Sequence, residues 1–238
     1  MNKRSLLAGP YIVWIIGFTV LPLLMIIFYA LGDGRGEMTM SNILAIFEPV
    51  HLKALLLALW LAILCTGICL VLAYPLALIL RKLNIGKQGM MAIIVILPMW
   101  VNFILRIMAW QLLLSRNGLI NGALGAIGLP GQDLANSSMA IVIGMVYDYL
   151  PFMILPVYNA VTDLKDDVIE AARDLGAPPK AVLTRIMIPL TKPGIISGIT
   201  MVFVPAMTTF VISTLLGGSK ILLIGNVIEQ QFKQVNNW

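Results

Sequence analysis

The sequence predicts an all-α, polytopic membrane protein. Apolar residues make up 60% of the 238 residues, charged residues make up 11%, and the mean hydropathy is +0.95. Soluble domains are about 45–50% apolar and about 25% charged. A compact soluble fold could therefore not bury all the apolar surface of this chain. Five apolar runs are each long enough to cross a bilayer, which takes about 20 residues in a helix. Because backbone groups must satisfy one another in lipid, and the runs lack the alternation of barrel strands, helices are predicted.

The five predicted spans follow the apolar runs in order. The first run follows Lys3 and Arg4, but it is too long for a signal peptide and no clear cleavage site follows, so a retained helix is expected. Cys65 and Cys69 are four residues apart in the second run, and we expect small apolar side chains rather than redox or metal ligands. The spans are expected at 11–31, 54–80, 90–114, 138–161 and 193–216, in a single transmembrane domain over residues 1–238.

The distribution of Lys and Arg predicts the orientation. The N-terminus, the loop after the second span and the loop after the fourth span lie on one side and hold ten of the 16 basic residues. Cytoplasmic loops of membrane proteins carry the excess of Lys and Arg, so these segments are expected in the cytoplasm. Five crossings then place the tail, residues 217–238, outside the cytoplasm. The net charge of +5 follows from this topology, and no nucleic-acid partner is predicted.

The loop over 162–192 gathers charge in a chain that otherwise has little. Asp167 and Glu170 have capping-box spacing, Gly176 suits a left-handed helix end, and Pro178 and Pro179 suit the start of a second helix. The loop is therefore predicted to be a hairpin of two short helices. An amphipathic hairpin can dock in a partner's groove or rest on lipid headgroups, and the pattern leaves both open. Its predicted apolar faces comprise Val168, Ile169, Ala172 and Leu175, then Val182, Leu183, Ile186 and Met187.

Within this loop, one motif resembles the EAA motif of permease subunits of bacterial ABC importers. The residues that match are Glu170, Ala171, Ala172, Gly176, Ile186 and Pro189. One position departs from the pattern, because Ile188 stands where Leu is usual. The resemblance implies that the hairpin couples this chain to a separate ATP-hydrolysing subunit in the cytoplasm. ATP would then be bound by that partner, and this chain would need no cofactor of its own.

Several other stretches resemble the spermidine/putrescine branch of that family: "LPMWVNFILRIMAW", "YLPFMILPVY" and "GGSKILLIGNVIEQQF". The resemblance implies a bacterial inner-membrane location, a second permease subunit as heterodimer partner, and an extracytoplasmic substrate-binding protein. It also implies six spans, whereas this sequence stops at Trp238, where the last would begin. Five spans are expected here, which corresponds to a chain without the last helix.

Two charged residues lie within predicted spans, where charge is costly and usually faces a cavity or a partner. Asp148 stands between Tyr147 and Tyr149, and a carboxylate with aromatic faces nearby, including Trp100, would suit a polyamine in a substrate path. The alternatives are that Asp148 pairs with Arg106 or another subunit, or that it lies in water at a helix end. For Arg106 a structural role or a gate is expected.

Several functional classes lack their signatures. The sequence has no phosphate-binding loop, no nucleophile–base triad and no cluster of metal ligands, so a transport subunit rather than an enzyme is predicted. A secondary transporter or channel would call for internal repeats or several coupled acids, neither of which is visible. A non-transporting scaffold stays open as a further alternative. Within the importers, an anion or an iron complex is the alternative to a polyamine as cargo.

Overall fold

The computed structural model describes residues 9–32, 38–82, 95, 97–128, 130, 134–218 and 220–235. Every element in these ranges is helical, apart from one isolated antiparallel bridge between Gly32 and Met38. The all-α prediction is thereby confirmed. By its internal contacts the chain forms two compact units, residues 1–53 with 230–238, and residues 54–229.

The helices alternate between long apolar elements and short connecting ones. The long ones are α1 (Gly9–Ala30), which includes a π-helical stretch over Ile16–Val20, α3 (Pro49–Lys82), α6 (Ser138–Thr162) and α9 (Lys192–Thr208). The others are α2 (Ser41–Ala45), α4 (Phe103–Leu114), α5 (Leu119–Ala126), α7 (Asp166–Asp174), α8 (Pro179–Leu190), α10 (Val211–Leu216) and α11 (Ile224–Gln230), with a 3₁₀ turn at Leu97–Trp100 and a π turn at Gln231–Val235.

In the described part of the chain, α1, α3 and α6 are each long and apolar enough to cross a membrane, and α8 with α9 is a fourth if that bent pair is one span. The first, second and fourth predicted spans are therefore found as helices, with ends that differ by a few residues. Of the third, 90–114, residues 90–94 and 96 lie outside the described ranges, and the rest holds the 3₁₀ turn and the 12-residue α4. The fifth, 193–216, is divided between α9 and α10.

The first unit contains α1 and α2. None of the side chains of α1, which is described over its full length, is buried. A helix that is apolar on all sides suits a lipid environment, which covers such a surface without a protein partner. Its end is fixed by hydrogen bonds from Thr39 N to Leu31 O (2.7 Å) and from Asn42 Nδ2 to Gly32 O (3.0 Å).

The second unit is built on α3, α6 and α9. The buried face of α3 is a row of small side chains, which allows a neighbouring helix to approach closely. Cys65 and Cys69 belong to this row, both are fully buried, and Cys69 Sγ donates to Val146 O in α6 at 3.8 Å. The row comprises Ala54, Ala58, Ala62, Cys65, Cys69, Ala73 and Ala77. The prediction of apolar cysteines agrees with this placement.

Close contact between α6 and α9 depends on glycine. A Cβ atom at Gly194 would lie 2.6 Å from Pro156 O, and one at Gly198 would lie 2.6 Å from Met153 Sδ. Both distances are below van der Waals contact. At Gly194 the clash is with the backbone and would push the helices apart, whereas at Gly198 the Met153 side chain would have to move. This pair of glycines, four residues apart, is the small-residue spacing by which membrane helices pack.

A break at residues 209–210 separates α9 from α10, and the side chain of Asn226 in α11 makes hydrogen bonds to residues after this break. Asn226 Nδ2 donates to Phe210 O (3.2 Å) and to Thr214 Oγ1 (2.9 Å), and its Oδ1 accepts from Leu223 N (3.2 Å) and from Ser213 Oγ. An apolar interior tolerates an interrupted helix where other groups bind the freed backbone atoms. Within the predicted tail, 217–238, the segment up to residue 229 is therefore part of the second unit.

Candidate functional site

The loop after α6 forms the predicted hairpin, with α7 and α8 as its arms. Helix α7 ends at Gly176, whose φ of 81° is left-handed, as predicted. Gly176 N donates to Arg173 O (2.8 Å) and Ala177 N donates to Ala172 O (3.0 Å), which together form a Schellman motif. The second arm begins at Pro179, also as predicted.

Two details of the hairpin differ from the sequence prediction. The predicted capping box is wrong, because the N-cap of α7 is Lys165 and no side chain caps it. Asp166 and Asp167 lie instead within the first turn, where their charge favours the positive end of the helix dipole. Leu175 is not on the inner face of the hairpin, since 89% of it is exposed, and Val168 is also exposed.

The EAA residues divide into an inner and an outer set. Ala172 packs with Ile169 and Val182 in a small apolar cluster, and Ile186 lies against it. This cluster holds the two arms together. Glu170, Ala171, Gly176 and Pro189 are exposed. The motif thus contains residues that form the hairpin and residues that leave a surface available to a partner.

Helix α3 contacts both ends of the hairpin. Arg81 Nη2 donates to Leu164 O (2.8 Å) and to Asp166 Oδ1 (2.7 Å), at the start of α7. Tyr74 OH is 3.1 Å from Thr191 Oγ1, at the point where α8 meets α9 with a 67° bend. The sequence did not predict these contacts, because the basic residues after the second span, Arg81 among them, indicated only the orientation of the chain. Lys or Arg at the end of a span next to the motif is the one signal that could have indicated them.

The two charged residues within the predicted spans form an ion pair. Arg106 Nη2 of α4 lies 2.6 Å from Asp148 Oδ1 of α6, and Arg106 Nη1 donates to Pro98 O at 3.3 Å. Only 9% of the Arg106 side chain and 5% of the Asp148 side chain are exposed. The predicted pairing of Asp148 with Arg106 is confirmed, and the alternative that Asp148 is exposed to water at a helix end is wrong. Burial removes both charges from water at a large cost, which their mutual attraction offsets only while both are present.

The aromatic residues predicted near Asp148 lie in different surroundings. Tyr147 contacts Trp110 edge-on, with ring centroids 5.4 Å apart, whereas Tyr149 is buried and its OH donates to Pro205 O at 3.4 Å. Each helical residue is rotated by about 100° from the one before, so Tyr147 and Tyr149, two positions apart, point to nearly opposite sides of α6 and cannot both stack over one ligand. Trp100 is 81% exposed. Among the described residues, no group of His, Cys, Asp and Glu could hold a metal ion.

Comparison with known proteins identifies the family. Residues 70–235 match the family described as "Binding-protein-dependent transport system inner membrane component". The spermidine/putrescine transport system permease protein PotB of Escherichia coli (strain K12) is 40% identical over 234 residues, which cover 94% of this chain and 85% of that protein. PotB of Haemophilus influenzae (strain ATCC 51907 / DSM 11121 / KW20 / Rd) is 36% identical over 94% of this chain and 82% of its own length.

A solved structure supports the same fold. The crystal structure of a bacterial alginate ABC transporter, in complex with an alginate pentasaccharide-bound periplasmic protein, superposes with a TM-score of 0.76. That match covers 98% of this chain and 84% of the solved chain, at 17% identity. At this identity the likeness concerns the fold. The family, however, is one of transport permeases rather than enzymes, which confirms the prediction of a transport subunit. The chain is therefore a member of the inner-membrane permease family of ABC importers.

Proposed function

We propose that this chain is one permease subunit of an ATP-driven importer of polyamines such as spermidine and putrescine. The cargo assignment rests on the 40% identity to PotB, a spermidine/putrescine permease, over 94% of the chain. The second permease subunit completes the translocation path, and an extracytoplasmic binding protein delivers the cargo. ATP is bound and hydrolysed by a separate cytoplasmic subunit, since this sequence has no phosphate-binding loop.

The hairpin α7–α8 is the element that couples to the ATPase. Support comes from its exposed outer surface, where Leu175 lies beside the exposed Glu170, Ala171 and Gly176. An exposed leucine at the tip of an otherwise charged loop is well suited to insert into an apolar groove of a partner. The inner residues, Ala172 and Ile186, give this surface its shape, and Pro189 continues it along α8.

Substitution of Leu175 tests this coupling role. Leu175→Glu changes a side chain that contributes little to the fold, because 89% of it is exposed. We expect the ATPase subunit to co-purify with the parent chain but not with this variant. Asp163→Asn, at an exposed position just before the hairpin, is the matched control and should retain the ATPase. Retention of the ATPase by Leu175→Glu as well would argue for a hairpin that rests on lipid headgroups.

The proposed topology has five spans in one transmembrane domain, with the N-terminus in the cytoplasm. It rests on the bias of basic residues, on the apolar length of α1, α3 and α6, and on the apolar runs 90–114 and 193–216 of the sequence. Residues 162–192 are then cytoplasmic and residues 217–238 lie on the outer side. Single cysteines at Thr184 and Lys220 in a cysteine-free background should react with membrane-impermeant maleimide from opposite sides. Labelling of both from one side would refute this topology.

The Asp148–Arg106 pair is proposed to line the substrate path, with the ammonium group of a polyamine replacing Arg106 as the partner of Asp148. Support comes from the carboxylate in mid-span and from Tyr147, 40% exposed, next to it. Trp100, Tyr147 and Tyr149 are proposed as contacts for the methylene chain at successive points of the path rather than as one cage. The double variant Asp148→Asn/Arg106→Gln leaves no unpaired charge and should reach the membrane in normal amount. Polyamine uptake should nevertheless be lost, whereas an anionic cargo would predict that uptake is retained.

Uptake by the whole importer is the decisive experiment. Labelled spermidine and putrescine are supplied to cells that lack their own polyamine importers and express this chain with its ATPase, second permease and binding protein. Uptake that disappears with a hydrolysis-deficient ATPase would support the proposal. Uptake of neither polyamine, with all four subunits assembled in the membrane, would refute the cargo assignment and leave the permease family unaffected.

A further inference from the structure

The coupling hairpin is joined covalently to two helices and non-covalently to a third. Helix α6 leads into it at residue 163, and α9 leaves it at Lys192. Helix α3 is distant in sequence but contacts both ends, through Arg81 at residues 164–166 and through Tyr74 at Thr191. Any displacement of the hairpin reaches α6 and α9 through the chain itself, but it reaches α3 through these side chains.

The two contacts are spaced along one face of α3. Tyr74 and Arg81 are seven residues apart, which is about two turns and about 10.5 Å along the helix axis. The hairpin is thus held at two points rather than one, so that it cannot rotate about a single contact. Arg81 is also in the last turn of α3, where its charge favours the negative end of the helix dipole.

Each end includes one partner that is a backbone or a buried group. Thr191 is fully buried, and its Oγ1 also donates to Met187 O at 2.8 Å, so the Tyr74 contact is made at the bend between α8 and α9. The Arg81 side chain is 15% exposed, and its bond to Leu164 O fixes the backbone that enters α7. The Asp166 side chain is 82% exposed, so its ion pair with Arg81 contributes less than the carbonyl bond.

We propose that Tyr74 and Arg81 are positioning residues that clamp both ends of the coupling hairpin to α3, so that ATPase-driven movement of the hairpin is passed to α3 together with α6 and α9. The proposal rests on the proposed coupling role of the hairpin. Without these contacts α3 would have no direct connection to the hairpin, because the two are not adjacent in the sequence. Two contacts on one continuous helix are a physical connection of the kind that can carry energetic coupling between distant sites.

The clamp predicts a specific order of effects. Tyr74→Phe removes one hydroxyl group and leaves the Thr191–Met187 bond in place. Arg81→Met removes both hydrogen bonds at the other end and keeps an apolar stem of similar length. Asp166→Asn removes only the exposed partner and should change little, since exposed ion pairs contribute little. Lys82→Met, next to Arg81 and exposed, and Tyr158→Phe, a buried tyrosine of α6, are the matched controls.

The first measurement is amide hydrogen exchange on the purified permease pair, which does not depend on cargo. In Arg81→Met, exchange of residues 169–172, the first amides of α7 with intrahelical partners, should rise about tenfold, as expected for loss of a hydrogen bond from a charged donor. Tyr74→Phe should raise exchange at residues 188–193 by a smaller factor. Exchange equal to that of Lys82→Met and Tyr158→Phe would refute the clamp.

The second measurement is made on the reconstituted importer, as cargo imported per ATP hydrolysed. The double variant Tyr74→Phe/Arg81→Met should still bind the ATPase, but the transport-to-hydrolysis ratio should fall several-fold. An unchanged ratio would overturn the proposal, and so would loss of ATPase binding, which would indicate a purely structural role. Failure of the parent chain to bind an ATPase or to transport would instead refute the proposed function, while the exchange data would still test the contacts.

Discussion

The left-handed conformation of Gly176 gives a quantitative prediction for the hairpin. Its φ is 81°, yet a Cβ atom added there would meet no heavy atom within 4 Å. Gly176→Ala therefore introduces conformational strain without a steric clash. A non-glycine residue in this region costs about 1–2 kcal/mol, and a difference of this size changes an equilibrium by a factor of about 5–30.

The chain offers a matched control for this substitution. Gly125 in α5 is also exposed, and its added Cβ would likewise meet nothing within 4 Å, but its φ is not left-handed. Gly125→Ala should be neutral or slightly stabilising, because alanine is the better helix former. Gly176→Asn should lie between glycine and alanine, since asparagine tolerates the left-handed region.

The assay is hydrogen exchange across residues 166–190, together with the affinity of the permease for its ATPase. Gly176→Ala should increase hairpin opening, and weaken ATPase binding, by a factor of about 5–30. Gly176→Ala and Gly125→Ala giving the same small effect would refute the strain argument. A loss well beyond this range would mean that the glycine contacts the ATPase directly.

Three further predictions concern the second unit. Gly198→Leu drives a side chain into Met153 Sδ, so we expect the free energy of unfolding to fall by about 1–3 kcal/mol, which is typical of overpacking. The fall should appear as a lower midpoint of thermal unfolding in detergent, and an unchanged midpoint would contradict the close packing of α6 and α9. Arg106→Leu leaves Asp148 buried without a partner and should destabilise by about 3–5 kcal/mol, whereas adding Asp148→Leu should restore the midpoint. Asn226→Leu removes the side chain that satisfies the α9–α10 break and should cost about 1–3 kcal/mol for each polar group left unpaired, measured as faster exchange at residues 209–214.

The sequence predicts the elements of this fold better than their ends. Composition and run length are sufficient for α1, α3 and α6, because crossing lipid imposes a minimum apolar length. The turn at Gly176 and the start at Pro179 are predictable because each residue type favours one backbone conformation. The break at residues 209–210 was not predicted, because it depends on Asn226, which is 16 residues further on.

The candidate site shows the same limit. The spacing of the motif identified the hairpin, but it could not tell that Leu175 faces outward, because a helix end changes the direction of the last side chains. The Arg106–Asp148 pair was one of several alternatives, since its members are on different helices and no spacing rule relates them. The contacts of Tyr74 and Arg81 with the hairpin join residues at least 83 positions apart, so a basic residue at the end of the span could not identify its partners.

The dependence of the α9–α10 turn on Asn226 has a consequence for how the protein is made. Phe210 is synthesised before Asn226, and until Asn226 is in place the Phe210 carbonyl has only the Thr214 amide and the hydroxyl groups of Ser213 and Thr214 as partners. Helix α9 can therefore form before α11, but the turn at its C-terminal end is completed only after α11 has been synthesised and has folded back. A chain interrupted between residues 216 and 226 would therefore lack the bonds from Asn226 to Phe210 and Thr214 that tie the turn to α11.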